Sequence, residues 1–216
     1  MNTKNVTIID YGVGNLLSVR RGFEYNNASV TVTGDPEKIL NAERLVLPGV
    51  GAFAKGMEEL YRRDFIYLLE QVAMKGTPIL GICLGMQFLL DQSEEFGLTE
   101  GLGFIPGTVQ AIPFNALDGE KLKIPHIGWS NIMKPVDKDI DWSDTFLRGI
   151  NESSAVYFVH SYMAQPDNFD HLLAGCLYGD NFIPAVICSD NVIGCQFHPE
   201  KSGKVGLKML NNFLTL

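Results

Sequence analysis

Gly81-Ile82-Cys83-Leu84-Gly85 joins an apolar run, Thr77-Pro78-Ile79-Leu80, to an amphipathic one, Met86-Gln87-Phe88-Leu89-Leu90. Gly-x-Cys-x-Gly between a strand pattern and a helix pattern describes a nucleophile elbow with cysteine in the place of serine. A sharp turn from strand into helix lifts the side chain at its apex clear of the backbone. The flanking glycines are required because a Cβ at either position would collide with the neighbouring strand or helix. Cys83 is therefore expected to be presented and not buried. Unpaired backbone N–H groups in the first turn of a helix, together with the helix dipole, favour negative charge there, and the thiolate is the nucleophilic form of cysteine. Outside such a frame, a lone cysteine in an apolar stretch is more often a core residue.

A cysteine nucleophile needs a base, and Gln196-Phe197-His198-Pro199-Glu200-Lys201-Ser202 offers one. Pro199 biases the segment toward extended backbone, so His198 and Glu200, two apart, project to the same side. Glu200 would accept from one imidazole nitrogen and fix the tautomer. The other nitrogen is then free to take the Cys83 proton and to deliver it to a leaving amine. The third requirement is an oxyanion hole. Leu47-Pro48-Gly49-Val50-Gly51-Ala52-Phe53 follows a short apolar strand, Arg44-Leu45-Val46-Leu47, and its glycines permit close approach of backbone N–H groups to a ligand. In elbow enzymes one donor is the residue after the nucleophile, here Leu84, and the second comes from a separate strand-to-helix loop, here Val50 or Gly51. Without the elbow, Pro-Gly-x-Gly would read simply as a turn.

The elements that must position these groups alternate early in the chain. The patterns predict a strand near 5–10, a helix near 14–26, strands near 29–33 and 44–47, helices across 53–75, a strand near 77–82 and a helix from 84 to about 92. Such alternation implies a parallel sheet with helices on both faces. Segments 108–134 and 154–197 read as β structure, with turn residues at Asp118-Gly119, Gly179-Asp180-Asn181 and Asp190-Asn191. A helix near 203–214 follows. The expected fold is α/β: a mostly parallel central sheet flanked by helices, with an additional antiparallel β layer to house the late segments. Residues 1–216 read as a single domain, with neither repeat nor linker.

Composition sets limits. The 216 residues are 46% hydrophobic and 19% charged, with a net charge of −8. Apolar content is ordinary for a chain with a real core, and no stretch approaches the roughly 18 apolar residues of a membrane span. The acidic balance, without a Lys/Arg cluster, argues against nucleic acid as a partner. The first residues run straight into a strand with no apolar signal region, so a cytoplasmic location is expected. The four cysteines, 83, 176, 188 and 195, form no CxxC pair, and neither a disulfide framework nor a metal site is expected. Cys176, Cys188 and Cys195 read as core residues on late strands. His126 is expected either to tie strands together by hydrogen bonds or to contact a partner, and His160, in an apolar strand, reads as a satisfied core histidine.

Six motifs carry a resemblance over nearly the whole chain: Asp10-Tyr11-Gly12-Val13-Gly14-Asn15-Leu16, the loop at 48–53, Gly-Ile-Cys-Leu-Gly-Met-Gln at 81–87, Pro125-His126-Ile127-Gly128-Trp129, Tyr-Phe-Val-His-Ser-Tyr at 157–162, and Gln-Phe-His-Pro-Glu-Lys-Ser at 196–202. The chain resembles the class I glutamine amidotransferases, and more narrowly the glutaminase subunits of imidazole glycerol phosphate synthase. That resemblance implies Cys83 as nucleophile, His198 as base and Glu200 as its orienting partner. It also implies that Gln87, one helical turn beyond Cys83, contacts bound L-glutamine, and that backbone around Gly49, Gly51, His160, Ser161 and Tyr162 holds the amino-acid end of that substrate. One departure is visible: the family usually has asparagine after His-x-Gly-Trp, whereas position 130 is serine.

The implied reaction is hydrolysis of glutamine to glutamate and ammonia through a thioester, without a cofactor. Ammonia released to neutral water becomes unreactive ammonium, so a partner is expected to receive it. The resemblance implies a cyclase subunit with a (β/α)₈ barrel, joined in a heterodimer and making imidazole glycerol phosphate for histidine biosynthesis. Alternatives are the same chemistry serving a diverged cyclase-like barrel on a sugar substrate, a stand-alone cysteine amidohydrolase, or a binding protein that has lost the chemistry.

Overall fold

The computed structural model describes residues 4–116, 119, 121–136, 138 and 140–216. Its central sheet begins with strands β1 (Asn5–Ile9), β2 (Ser29–Thr33), β3 (Leu45–Gly49) and β4 (Ile79–Cys83), interleaved with helices α1 (Leu16–Tyr25), α2 (Pro36–Leu40), α3 (Phe53–Arg62) and α4 (Phe65–Met74). After β4 come α5 (Leu84–Phe88), β5 (Gln92–Ser93), β6 (Thr99–Glu100), β7 (Gly107–Ala111), β8 (His126–Met133), β9 (Ala155–His160), β10 (Tyr162–Pro166), β11 (Leu172–Tyr178), β12 (Asn181–Ser189), β13 (Val192–Cys195) and α6 (Gly203–Phe213). The nine-stranded sheet runs β2-β1-β3-β4-β13-β12-β11-β8-β9, and a four-stranded sheet runs β10-β7-β5-β6.

The fold is α/β with a second, smaller sheet, as expected. The late segments divide differently from the expectation, however. β8, β9, β11, β12 and β13 extend the central sheet, parallel from β2 to β13 and antiparallel beyond. Only β7 and β10 join the short strands β5 and β6 in the second layer. The reason is burial on both faces: β12 has an unbroken buried run from Ile183 to Ile187, as a central strand must. Pro184 is tolerated there because the β11–β12 register shifts beside its partner Gly175. The helix expected to about 92 ends at Phe88, because loop 101–105 captures its last carbonyls: Leu102 N donates to Phe88 O, and Phe104 and Ile105 N donate to Leu89 O. The short α2 went unanticipated, although Asp35 caps it and Pro36 opens it. Of the three predicted turns, Asp118 lies outside the described residues.

Alternation along the strands separates two cores. Val6 and Ile8 of β1, Val46 of β3 and Leu80 and Ile82 of β4 face α1 and α6. Ile9, Leu45, Leu47 and Ile79 face α2, α3, α4 and α5. Both faces of the sheet are therefore covered by helices. Among the described residues no helix is long and apolar enough to cross a membrane.

The elbow is clamped in this frame. A Cβ on Gly85 would come within 1.8 Å of Leu47 O on β3, and one on Gly81 within 2.5 Å of Gly85 O. Neither obstacle is a side chain that could swing away. Gly85→Ala is therefore expected to cost about 3 kcal/mol of stability or more, read as a lower urea midpoint. A midpoint equal to that of the parent chain would show that the strand and helix can separate without cost.

Candidate active site

The site forms where three parallel strands end side by side. β4 lies between β3 and β13, with Gly49 opposite Cys83 and Cys195 opposite Ile82. The segments leaving these strands carry the oxyanion loop, the elbow and His198. The distance in sequence between Cys83 and His198 thus disappears in the sheet, and both line one pocket of about 370 Å³ with Val50, Gly51, Leu84 and Gln87. The volume is at the small end of the roughly 300–1,000 Å³ usual for small-molecule sites.

Cys83 has φ 57° and ψ −110°, a left-handed conformation that costs a non-glycine residue on the order of 1–3 kcal/mol. This is the strained apex the motif requires. Exposure corrects the expectation of a presented thiol: Cys83 is only 6% accessible. Its side chain forms part of the pocket floor, reachable through the pocket and not from the open surface. Leu84 is the first residue of α5, so its N–H has no partner within the helix. The other thiols differ in chemistry. Burial pushes Cys176 up to about 12 and Cys188 up to about 11, and raises Cys195 as well.

His198 Nδ1 lies 2.8 Å from Glu200 Oε1, both side chains almost wholly buried. A carboxylate can only accept from Nδ1–H, so Nε2 is left for Cys83. Burial pulls the His198 pKa down, but hydrogen bonding and charge from Cys83 and Glu200 outweigh it and hold the pKa at about 9. The segment is fastened from several sides. His198 N donates to Tyr157 O at 2.9 Å, while Ser202 Oγ donates to His198 O at 2.7 Å and accepts from Tyr157 N at 3.0 Å. A Cβ on Gly206 of α6 would meet Pro199 O at 1.9 Å, so the final helix packs directly on the His-Pro-Glu turn.

The remaining sequence-derived residues are placed as follows. His160, Ser161 and Tyr162 line the pocket, as does Gln87. Gln87 Nε2 donates to Tyr162 O and to Gln196 Oε1, each at 3.0 Å. Gly49 does not line this pocket. It sits behind the elbow, where a Cβ would approach Gly85 N and Leu84 Cβ within 2.9 Å, and it borders a separate hollow of about 10 Å³ beside Glu200. Gly51, at φ +98°, is at the pocket wall with open space around it. His126 ties β8 to β9 by bonding His160 across the register.

Sequence reasoning missed three groups. Gln196 Nε2 approaches Cys83 Sγ at 3.8 Å. Its signal was its place two residues before His198. Glu95 and Lys201 bring a carboxylate and an ammonium to the pocket. Nothing local marked Glu95, whose other task is to accept from Phe53 N at the start of α3. Among the described residues no group of three or more His, Cys, Asp or Glu side chains is placed to hold a metal ion.

Since Cys83 is the largest influence raising His198, Cys83→Ala should move the His198 titration, followed by NMR, from about 9 toward the ordinary 6.5. An unmoved titration would mean that the two side chains do not interact.

Comparison with known proteins shows the family and supports the fold. The family description "Glutamine amidotransferase class-I" matches residues 7–216. "Imidazole glycerol phosphate synthase subunit HisH 1" of Legionella pneumophila (strain Lens) is 52% identical over 212 residues, 98% of this chain and 99% of that protein. "Imidazole glycerol phosphate synthase subunit HisH" of Methanosarcina barkeri is 46% identical over 215 residues, 99% of each. Among solved structures, one titled "Crystal structure of glutamine amidotransferase" superposes with a TM-score of 0.72 at 14% identity, over 98% of this chain and 99% of that one. PurLQS from Thermotoga maritima gives a TM-score of 0.69 at 18% identity, over 99% and 98%. These structures support the fold, the two HisH proteins support the narrower group, and the chain belongs to the class I glutamine amidotransferases and, within them, to the HisH subunits of imidazole glycerol phosphate synthase.

Proposed function

We propose that this pocket hydrolyses L-glutamine to glutamate and ammonia and that the ammonia passes to a cyclase partner that makes imidazole glycerol phosphate in histidine biosynthesis. The single observation that carries this reading is the meeting of Cys83, at a strained strand-to-helix turn, with the Glu200-oriented His198 in one pocket. The Cys83 thiolate would attack the carboxamide carbon. Leu84 N–H, with Val50 or Gly51 N–H, would receive the oxyanion. His198 would protonate the departing nitrogen as ammonia leaves, forming a glutamyl thioester. Water, deprotonated by His198, would then attack the thioester through a second oxyanion and release glutamate with the thiol restored.

The pocket suits an amino acid. The Glu95 carboxylate, which lines the pocket, would pair with an α-ammonium, and backbone around Gly51 and His160 through Tyr162 would hold the α-carboxylate. Gly49 would act indirectly, by letting the oxyanion loop close on the elbow. The partner is proposed to be a (β/α)₈ barrel in a heterodimer. Both the loss of ammonia to water and the names of the similar proteins favour a partnered enzyme over a stand-alone hydrolase. The chain is proposed to work as one domain in the cytoplasm.

Ammonia release from glutamine should be measured for the chain alone and with the cyclase plus its ribotide substrate. Strong stimulation is expected, with Cys83→Ala down about 10⁴-fold or more and Glu200→Gln down about 10²–10⁴-fold. Equal turnover with and without the cyclase would defeat the partnered reading, and turnover in Cys83→Ala close to that of the parent would defeat the thioester.

A further inference from the structure

A chain of hydrogen bonds runs from the middle of β8 to the pocket, and the reaction just described leaves it without a role. His160 Nδ1 is 2.8 Å from Tyr162 O, His126 Nδ1 is 3.1 Å from His160 Nε2, and His126 Nε2 is 2.9 Å from Ser130 Oγ. A carbonyl oxygen only accepts, so His160 must carry its hydrogen on Nδ1. A neutral imidazole has one N–H, which makes His160 Nε2 an acceptor and obliges His126 Nδ1 to donate to it. By the same step His126 Nε2 is an acceptor, and the Ser130 hydroxyl must be the donor. Both rings are buried, His126 stacked between Phe158 and Tyr178 with centroids 4.9 and 4.1 Å away. Burial favours the neutral form that this assignment needs.

The chain continues beyond Tyr162. The same carbonyl accepts from Gln87, Gln87 also donates to Gln196, and Gln196 faces Cys83 Sγ. Residues 126 and 130 would stand about 13 Å apart at Cα along an even strand. Gly128 between them has φ +143°, and the two side chains meet.

We propose that Ser130 is a positioning residue for glutamine: its hydroxyl donates to His126 Nε2 and so completes a chain whose direction Tyr162 O sets, and through His126 and His160 it holds the Ser161–Tyr162 backbone and Gln87 in the pocket wall. Ser130 touches no substrate. If the hydroxyl is removed, His126 Nε2 becomes a buried acceptor without a donor. Moving the ring proton to Nε2 gives no relief, because that N–H would find no acceptor and the Nδ1 lone pair would face that of His160 Nε2, so the His126 ring must shift to reach another donor. That shift loosens the His126–His160 bond and with it the hold of His160 on Tyr162 O. The disturbance therefore travels to the pocket wall. Asparagine, the residue the family resemblance leads one to expect at 130, also supplies a donor, whereas an ionised carboxylate does not. The tautomer assignment rests on geometry alone, and its consequence for glutamine rests on the proposed glutaminase reaction.

The test pairs spectroscopy with kinetics. In ¹⁵N-histidine-labelled protein, His126 and His160 should both show the neutral Nδ1–H pattern. Ser130→Asp, whose carboxylate can only accept, should introduce Nε2–H character at His126, whereas Ser130→Ala should keep the Nδ1–H pattern but shift the ring signals of both histidines. In the complex with the cyclase, Ser130→Ala should raise the glutamine KM about tenfold, the scale of one lost hydrogen bond, with kcat much less affected. Ser130→Thr and Ser130→Asn should restore both readouts, and Ser130→Asp should not. Alkylation of Cys83 by iodoacetamide, which has no amino-acid end, should be unchanged in Ser130→Ala. Nε2–H at either histidine in the parent chain, or parental KM in Ser130→Ala, would overturn the proposal, as would an equal slowing of alkylation, which would mark general structural damage. A parent complex that does not hydrolyse glutamine would sink the glutaminase reading instead, and the histidine spectra would still decide the tautomers.

Discussion

The site depends on one backbone constraint, the left-handed turn at Cys83. A residue with a side chain resists φ 57°, so surrounding contacts must hold it there. Here the contacts are backbone against backbone. Gly85 lies so close to Leu47 O, and Gly81 to Gly85, that a methyl group at either would push strand and helix apart. Because β3, β4 and α5 meet without intervening side chains, the thiol, the Leu84 N–H and the oxyanion loop share one small region. The strain is sustained by a buried frame, with every residue of β4 and α5 inside the protein.

A second constraint brings the base to the nucleophile. β13 lies next to β4, so a residue just past the end of one strand lies beside a residue at the end of the other. Fine placement then falls to polar contacts. Ser202 grips both sides of the His198 backbone connection to β9, α6 packs on the turn, and Glu200 fixes the ring. Burial works against a charged imidazole, and the Cys83 and Glu200 partners overcome it. The histidine pair at β8 and β9 illustrates the opposite outcome. Burial without a carboxylate partner lowers His126 to about 4 and His160 to about 3, so both serve as neutral hydrogen-bonding groups.

Much of this was legible in the residues. The elbow glycines, the His-Pro-Glu segment and the Pro-Gly-Val-Gly loop each have a steric or electronic reason that acts within a few residues, and the alternating early elements follow from short-range periodicity. The late strands were harder. Whether β11 and β12 join the first sheet or a second depends on which neighbours cover their two faces, and that is a property of the assembled core. The premature end of α5 has the same origin, since loop 101–105 takes its final carbonyls. Glu95, Gln196 and the burial of Cys83 were also hidden, because each depends on groups distant in sequence.

The amino-acid sequence by itself determined the reacting groups and their local geometry: a cysteine at a turn only glycine neighbours allow, a histidine with a carboxylate two residues on, and a loop able to offer N–H donors. These are short-range effects of sterics and hydrogen bonding. Tertiary structure alone decided that β3, β4 and β13 lie side by side, that the thiol sits on a pocket floor, and that Ser130, His126, His160 and Tyr162 form a directed hydrogen-bond chain. Those outcomes come from packing between segments far apart in the chain, where strand order and burial on both faces of the sheet, and not local preference, set which groups meet.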